Sequence, residues 1–344
     1  MQNKNPTTVL DSLNKGLITA MDANNSVVMI GEDILDPYGG AFKVTRGLST
    51  AYPERVMTSP ISEAGIIGIA GGMALRGLRP VVEIMFGDFL TLGADQIINH
   101  LTKFREMYNN QVRVPVLIRT PMGGRRGYGP THSQTLEKHF LGVPGLQVIA
   151  PFHFMGNNPI GYPGALLSDL ILKSNDPVLF IENKLQYLLP LITPELLNDQ
   201  ICEEVSGIYP GMFKVIVGSA PPPEVTLVAY GYMAHLAMQA QHKLAFECEI
   251  FTELIIPTQL APFELEPVFT SVQATRKLLT IEEGPGGLGW GAEIVALTSE
   301  KLGSTLTKAS RICAESCPVP AARHLEEIAL PQVETIIKSV QKMV

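Results

Sequence analysis

Apolar positions along the chain fall into two kinds of run that alternate. Short continuous ones occur at 27–30, 80–85, 115–119, 147–150 and 177–181. They carry too few polar positions for a half-exposed strand and predict strands buried on both faces. Between them, residues 9–22, 93–108 and 166–173 read as helices, as does 62–76, which Ser62 and Glu63 open. A further short strand is expected at 55–58. Strand and helix in alternation predict parallel sheets covered by helices. Over 191–209 the periodicity lapses into polar and acidic residues, Pro194-Glu-Leu-Leu-Asn-Asp among them, which reads as a linker. The pattern then resumes with strands at 225–230, 248–254 and 277–282 and helices at 234–245 and 292–302. The expected class is α/β, as two three-layer domains with largely parallel sheets: 1–190, and a smaller one at 210–344.

Composition narrows the function classes. With 46% hydrophobic and 17% charged residues, the 344-residue chain is not a disordered one. A formal net charge of -7 argues against general nucleic-acid binding and against attraction to anionic membranes. The longest weakly polar run, 64–75, is short of the ~20 residues a bilayer crossing requires and contains several glycines. The opening Met1-Gln-Asn-Lys-Asn-Pro6 has neither a secretory nor a transit layout. Four cysteines are few; Cys313 and Cys317 lack a second pair for a zinc site and read as reduced thiols. A cytoplasmic location is therefore expected.

Several motifs invite chemistry. Gly284-Pro-Gly286-Gly-Leu-Gly289 is a literal G-x-G-x-x-G. A dinucleotide fold needs it after its first strand, with an acidic residue about 20 positions on, and too little chain follows here. A tight strand-to-helix turn is the reading. Gly123-Gly-Arg125-Arg126-Gly-Tyr128-Gly resembles a nucleic-acid segment, but it is one short copy in an acidic protein. It reads instead as a loop beyond the strand at 115–119, with two arginines available to an anionic substrate.

His132 closes that loop, where an imidazole could exchange a proton near neutral pH. Glu63 opens the helix at 62–76, again beyond a strand's carboxyl end. A first-turn carboxylate can be a simple cap. The rest of this helix is almost free of charge, however, and Gly65, Gly68 and Gly72 share one face, which suggests close approach of a second helix. A carboxylate at such an interface needs a partner, and a ligand bridging two chains would supply one.

At these residues the sequence resembles the beta subunit of thiamine-diphosphate-dependent 2-oxo acid dehydrogenases of the pyruvate, branched-chain and acetoin types. The matching stretches are Gly31-Glu-Asp, Gly39-Gly-Ala-Phe-Lys-Val-Thr-Arg-Gly-Leu, Thr58-Ser-Pro-Ile-Ser-Glu-Ala-Gly, Gly77-Leu-Arg-Pro and Phe86-Gly-Asp-Phe. Asp95-Gln-Ile-Ile-Asn, His132-Ser-Gln, Pro144-Gly-Leu, Asn175-Asp-Pro-Val and Gly291-Ala-Glu-Ile follow in family order over nearly the whole chain. The resemblance implies a pyrimidine-binding domain followed by a transketolase C-terminal-like domain. It implies that Glu63 hydrogen-bonds N1' of the aminopyrimidine, favouring the imino form that takes the thiazolium C2 proton. The thiazolium then accepts the electrons of decarboxylation. Phe89 would pack on the pyrimidine, and His132 would assist acyl transfer to a lipoyl group.

The diphosphate-holding chains of the family carry a Gly-Asp-Gly that binds Mg2+, and none occurs here. The resemblance thus implies half a cofactor site, an alpha subunit in an α2β2 heterotetramer, and a lipoyl acyltransferase component as further partner. By position it also implies potassium at Val116, Ile171, Leu172, Ser174 and Asp176, with Ser174 replacing a usual Asp. The stretch 152–164 is longer and less polar than its family counterpart and is expected to reshape a surface or a partner contact. His139 and His153 nearby read as structural or exposed. The expected function is oxidative decarboxylation of a 2-oxo acid, of pyruvate type, with acyl transfer to lipoamide. An acetoin-type or divergent acyl-transfer enzyme and a non-catalytic scaffold are the alternatives.

Overall fold

The computed structural model describes residues 6–205 and 210–344. They pack as two compact units: residues up to Met122 with His139–Ile192, and Gly123–Lys138 with Thr193–Val344.

In the first unit, β1 (Val27–Gly31), β2 (Val56–Thr58), β3 (Arg79–Glu83), β4 (Leu117–Met122), β5 (Gln147–Ile149) and β6 (Val178–Asn183) lie in the order β5-β6-β4-β3-β1-β2. All their pairings are parallel. β1 is buried throughout, as a continuous Val-Val-Met-Ile run requires when helices cover both faces. Helix α1 (Val9–Ala23) starts in a capping box, with Thr8 accepting from the Asp11 N–H and the Asp11 carboxylate accepting from the Thr8 N–H. It crosses α5 (Tyr162–Lys173) at a glycine pair: a Cβ on Gly16 would strike the Gly164 carbonyl oxygen. Ser12 Oγ fills the remaining space, donating to the Ile160 carbonyl at 2.6 Å and accepting from the Gly164 N–H at 2.8 Å. The long stretch 152–164 therefore ends as the seat of this crossing; Phe152 and His153 are buried, and His139 is exposed.

The second unit orders its strands β13-β12-β9-β10-β8-β7, namely β7 (Gln200–Val205), β8 (Met212–Val217), β9 (Val225–Ala229), β10 (Thr252–Pro257), β12 (Lys277–Pro285) and β13 (Lys308–Ala314), with a separate short β11 (Gln259–Ala261). The β7–β8–β10 pairings are antiparallel and the rest parallel. Helices α6 (Gly231–Cys248), α7 (Glu266–Thr275), α8 (Trp290–Leu302), α9 (Arg323–Ala329) and α10 (Val333–Gln341) complete it.

Three expectations need correction. The stretch read as linker holds β7, an edge strand whose outward Glu203, Glu204 and exposed Ile201 hide it from a polarity pattern. Residues 248–251 are not strand: α6 runs to Cys248, left-handed Glu249 ends it, and β10 begins at Thr252. The helix expected over 93–108 runs without a break from 94 to 107, but it widens into a π segment at Gln96–Leu101 before α4 (Thr102–Met107). Among the described residues no helix is long and apolar enough to cross a membrane.

Candidate active site

In the first unit, α3 (Glu63–Leu75) begins with Glu63, and Ser62 caps it by accepting from the Gly65 N–H at 3.3 Å. Glu63 is only 5% exposed, and Glu32, which follows β1, is 7% exposed. Burial, and then the charge of Glu63, push the Glu32 carboxyl above its ordinary range, against the pull of the Ser62 N–H. Glu32 Oε1 is buried without a hydrogen-bond partner. Two neighbouring buried carboxyls, one with an orphaned oxygen, suit a ligand edge that donates hydrogen bonds or shares a proton.

Phe89 lies half-buried in the 3-10 segment Gly87–Gly93. That segment sits directly on the Glu63 helix: a Cβ on Gly93 would strike Ile67 and lie 3.6 Å from the Glu63 carbonyl. Ring contacts run from Phe89 to Phe86 at 5.8 Å, Phe86 to Phe42 at 5.6 Å and Phe42 to Tyr187 at 5.3 Å.

Tyr187 belongs to an ion cluster below these rings. Its hydroxyl donates to Glu182 Oε2 at 2.5 Å, and Arg119 Nε donates to Glu182 Oε1 at 2.8 Å. The two Nη groups of Arg119 reach Glu182 and Glu83. All four side chains are buried, Arg119 being 1% exposed. One guanidinium faces two carboxylates, so burial still pushes Glu83 up to about 7 despite the pull of Arg119.

His132 belongs to the second unit, in the loop 123–138. Its N–H donates to the Gly129 carbonyl at 3.3 Å, and Nδ1 lies 3.0 Å from Thr131 Oγ1. Gly123 N–H donates to the Gln134 carbonyl at 3.2 Å and closes the loop's base. Of the two arginines expected to meet a substrate, Arg125 is engaged internally, its guanidinium on the Pro331 carbonyl and 5.6 Å over the Tyr232 ring. Arg126 is exposed. The G-x-G-x-x-G is indeed a turn between β12 and α8. A Cβ on Gly289 would lie 2.6 Å from both oxygens of Glu282, and Glu282 Oε1 accepts from the Gly291 N–H at 3.1 Å.

The five potassium candidates all lie in the first unit, where other groups already serve several of them. Arg79 donates to the carbonyls of Ile171, at 2.5 Å, and Ser174. The Val116 carbonyl accepts from the Val178 N–H at 2.9 Å, and Arg105 holds the Asp176 carboxylate at 2.9 Å. Leu172 is partly buried against the apolar core. On α3, Gly72 has open space where a Cβ would point, Gly68 is met by Gln96, and Ile69 is exposed.

Glu32, Glu83, Arg119 and Glu182 were not singled out as sites from sequence. A usable signal existed: each charge sits in or just after an otherwise apolar run, where a buried strand must pair it.

Two matches define the class. Residues 6–188 match the transketolase pyrimidine-binding domain and 216–336 the transketolase C-terminal domain. A split-gene transketolase, solved as an inactive beta4 tetramer, shares the fold with a TM-score of 0.74 at 19% identity, over 98% of both chains. The chain is 37% identical to the pyruvate dehydrogenase E1 component subunit beta-1, mitochondrial, of Arabidopsis thaliana, covering 96% of this chain and 88% of that one. It is 33% identical to the Bacillus subtilis acetoin:2,6-dichlorophenolindophenol oxidoreductase subunit beta, over 95% and 94%. The chain belongs to the beta-subunit family of thiamine-diphosphate-dependent 2-oxo acid dehydrogenases.

Proposed function

We propose that this chain forms the pyrimidine-side wall of a thiamine diphosphate site in a pyruvate-type dehydrogenase. It acts with an alpha subunit, as an α2β2 heterotetramer, and passes the acyl group to a lipoyl acyltransferase component. The observation that carries the reading is the buried Glu63–Glu32 pair beneath an aromatic segment bearing Phe89, in the unit that matches the pyrimidine-binding domain. A carboxylate edge beside an aromatic face fits an aminopyrimidine. When bound, the coenzyme supplies an electron sink for decarboxylation. Glu63 holds the ring edge and its proton, Phe89 offers the stacking face, and His132 moves a proton during acyl transfer. The uncovered face of α3, with Ile69 and Gly72, is the surface offered to a second subunit. Mg2+ belongs with the alpha subunit, whose diphosphate motif this chain lacks. Four free thiols favour a cytoplasmic site of action, although the plant relative is named mitochondrial. The Bacillus relative favours acetoin as the second substrate reading.

Co-expression with an alpha subunit carrying a Gly-Asp-Gly motif, followed by a 2-oxo acid and acetoin panel, tests the proposal. Glu63→Gln should leave assembly intact and lower turnover at least about a hundredfold, because an amide cannot share the ring proton. Near-wild-type turnover by that variant would overturn the assignment.

A further inference from the structure

The loop that carries His132 has an unusual backbone. Gly123, Arg125, Gly127 and Gly129 all take positive φ, at 92°, 69°, 69° and 75°. Alternating left-handed residues turn nearby N–H groups to one side and create a concavity that suits an anion. Here the anions are side chains of the same unit. Glu326 of α9, 3% exposed, accepts from the Arg125 N–H at 2.7 Å through Oε1 and from the Gly127 N–H at 3.1 Å through Oε2. Glu283, buried in β12, accepts from the Gly124 N–H at 2.7 Å. The packing there leaves no room to spare: a Cβ on Gly124 would sit 3.1 Å from Glu326 Oε1 and 2.7 Å from Leu330.

The far end of the loop is held too. Tyr230 donates to Glu137 at 2.6 Å, and Lys138 donates to the Gly287 carbonyl at 2.9 Å. His132 stands between these two anchors, on a turn closed by its own N–H to Gly129. Charged acceptors make the stronger class of hydrogen bond, and three such bonds converge on four consecutive residues.

We propose that Glu326 and Glu283 are positioning residues for His132, fixing the loop so that the imidazole meets the acyl group in one place. The role rests on the reading of this chain as a dehydrogenase beta subunit whose histidine serves acyl transfer. Neither carboxylate touches substrate; each acts through backbone N–H groups several residues away. In Glu326→Gln one oxygen remains an acceptor, but the amide NH2 faces a second N–H donor and that contact is lost.

The test uses the assembled wild-type complex with Glu326→Gln and, as a change made from the loop side, Gly127→Ala. The latter places a Cβ at φ +69° and 3.2 Å from the Ala321 carbonyl. Hydrogen exchange over 123–138 reads the anchoring. Reduction of 2,6-dichlorophenolindophenol and acylation of a free lipoyl domain read the two half-reactions. In both variants exchange in the loop should rise about tenfold, and lipoyl acylation should fall roughly ten- to a hundredfold. Dye reduction should stay within about twofold, a split that simple unfolding cannot produce. Unchanged loop exchange, or equal loss of both half-reactions, overturns the positioning role. A wild-type complex without 2-oxo acid-dependent dye reduction instead overturns the functional reading, and the role with it, whatever the exchange shows.

Discussion

Arg119 is the most demanding side chain in the first unit. It is buried on β4 between Glu83 at the end of β3 and Glu182 on β6, with Glu83 directly across in register. Removing the guanidinium in Arg119→Met keeps the volume but leaves two carboxylates buried without their counter-ion. Breaking a buried pair in this way costs about 3–5 kcal/mol. That is a large share of the ~5–15 kcal/mol that holds a typical protein folded. The loss has a pH signature. Glu83 is pushed up to about 7 even with Arg119 present, so without it protonation becomes easier still. The penalty should therefore be near its full size at pH 8 and shrink toward pH 5.

Urea midpoints measured at fixed protein concentration, so that assembly contributes equally, read the difference. The companion variant Glu83→Gln/Arg119→Met/Glu182→Gln removes all three charges and should recover most of the loss, because no unpaired charge remains. A cost below about 1 kcal/mol for Arg119→Met, or a triple variant as unstable as the single one, would refute the reasoning. The ring contacts from Tyr187 through Phe42 and Phe86 add a functional consequence. Tyr187 is bonded to Glu182, so a disturbed cluster loosens the floor on which Phe89 rests.

Two further outcomes follow from the same structure. Burial and then Glu137 push Glu282 up to about 7, opposed by the N–H groups of Gly291 and Trp290 and by Arg311. A raised carboxyl keeps its proton in the folded state, so stability should fall as pH rises from about 4.5 to about 7, by up to ~3 kcal/mol for this group. Glu282→Gln should flatten that part of the urea-midpoint profile, leaving the slope of the same sign from Glu83; an unaltered profile would count against the shift. Potassium, the second case, would have to displace the Arg79 guanidinium from the carbonyls of Ile171 and Ser174 to bind at the positions the resemblance implies. If such a site exists, stabilisation by potassium over sodium should be small in the wild type and larger in Arg79→Met, and identical thermal midpoints in the two salts for that variant would count against it.

The parallel sheets were legible because their strands are unbroken apolar runs, and the helix that opens at Glu63 because a serine cap and an uncharged run follow one another there. What escaped was set by pairing over distance. β7 reads as linker because its exposed Ile201, Glu203 and Glu204 do not alternate and only its pairing with β8 makes it a strand. The helix expected over 93–108 widens into a π segment at Gln96–Leu101, which no periodicity of apolar residues announces. Arg119 and Glu182 lie 63 residues apart, and only the sheet brings them together. The carboxylate that organises the His132 loop is 201 residues from Arg125, on a seven-residue helix without a motif of its own.

The two stretches that most resemble ligand-binding motifs, and read from sequence as turns, are both occupied from within. The turn at 284–289 leads into the start of α8, where the N–H groups of Trp290 and Gly291 meet on one carboxyl, and residues 123–129 form a glycine-rich turn that aims backbone N–H groups at one point. At the first, α8 begins over Glu282; at the second, the turn closes around Glu326. An internal carboxylate satisfies the donors that an external anion would otherwise claim, and it does so while ordering the chain. Gly289 and Gly124 are needed in either case, because a Cβ there would crowd the carboxylate as it would crowd a phosphate. A glycine motif therefore reports that backbone donors converge, and the acidic residue that meets them decides whether the convergence binds or builds.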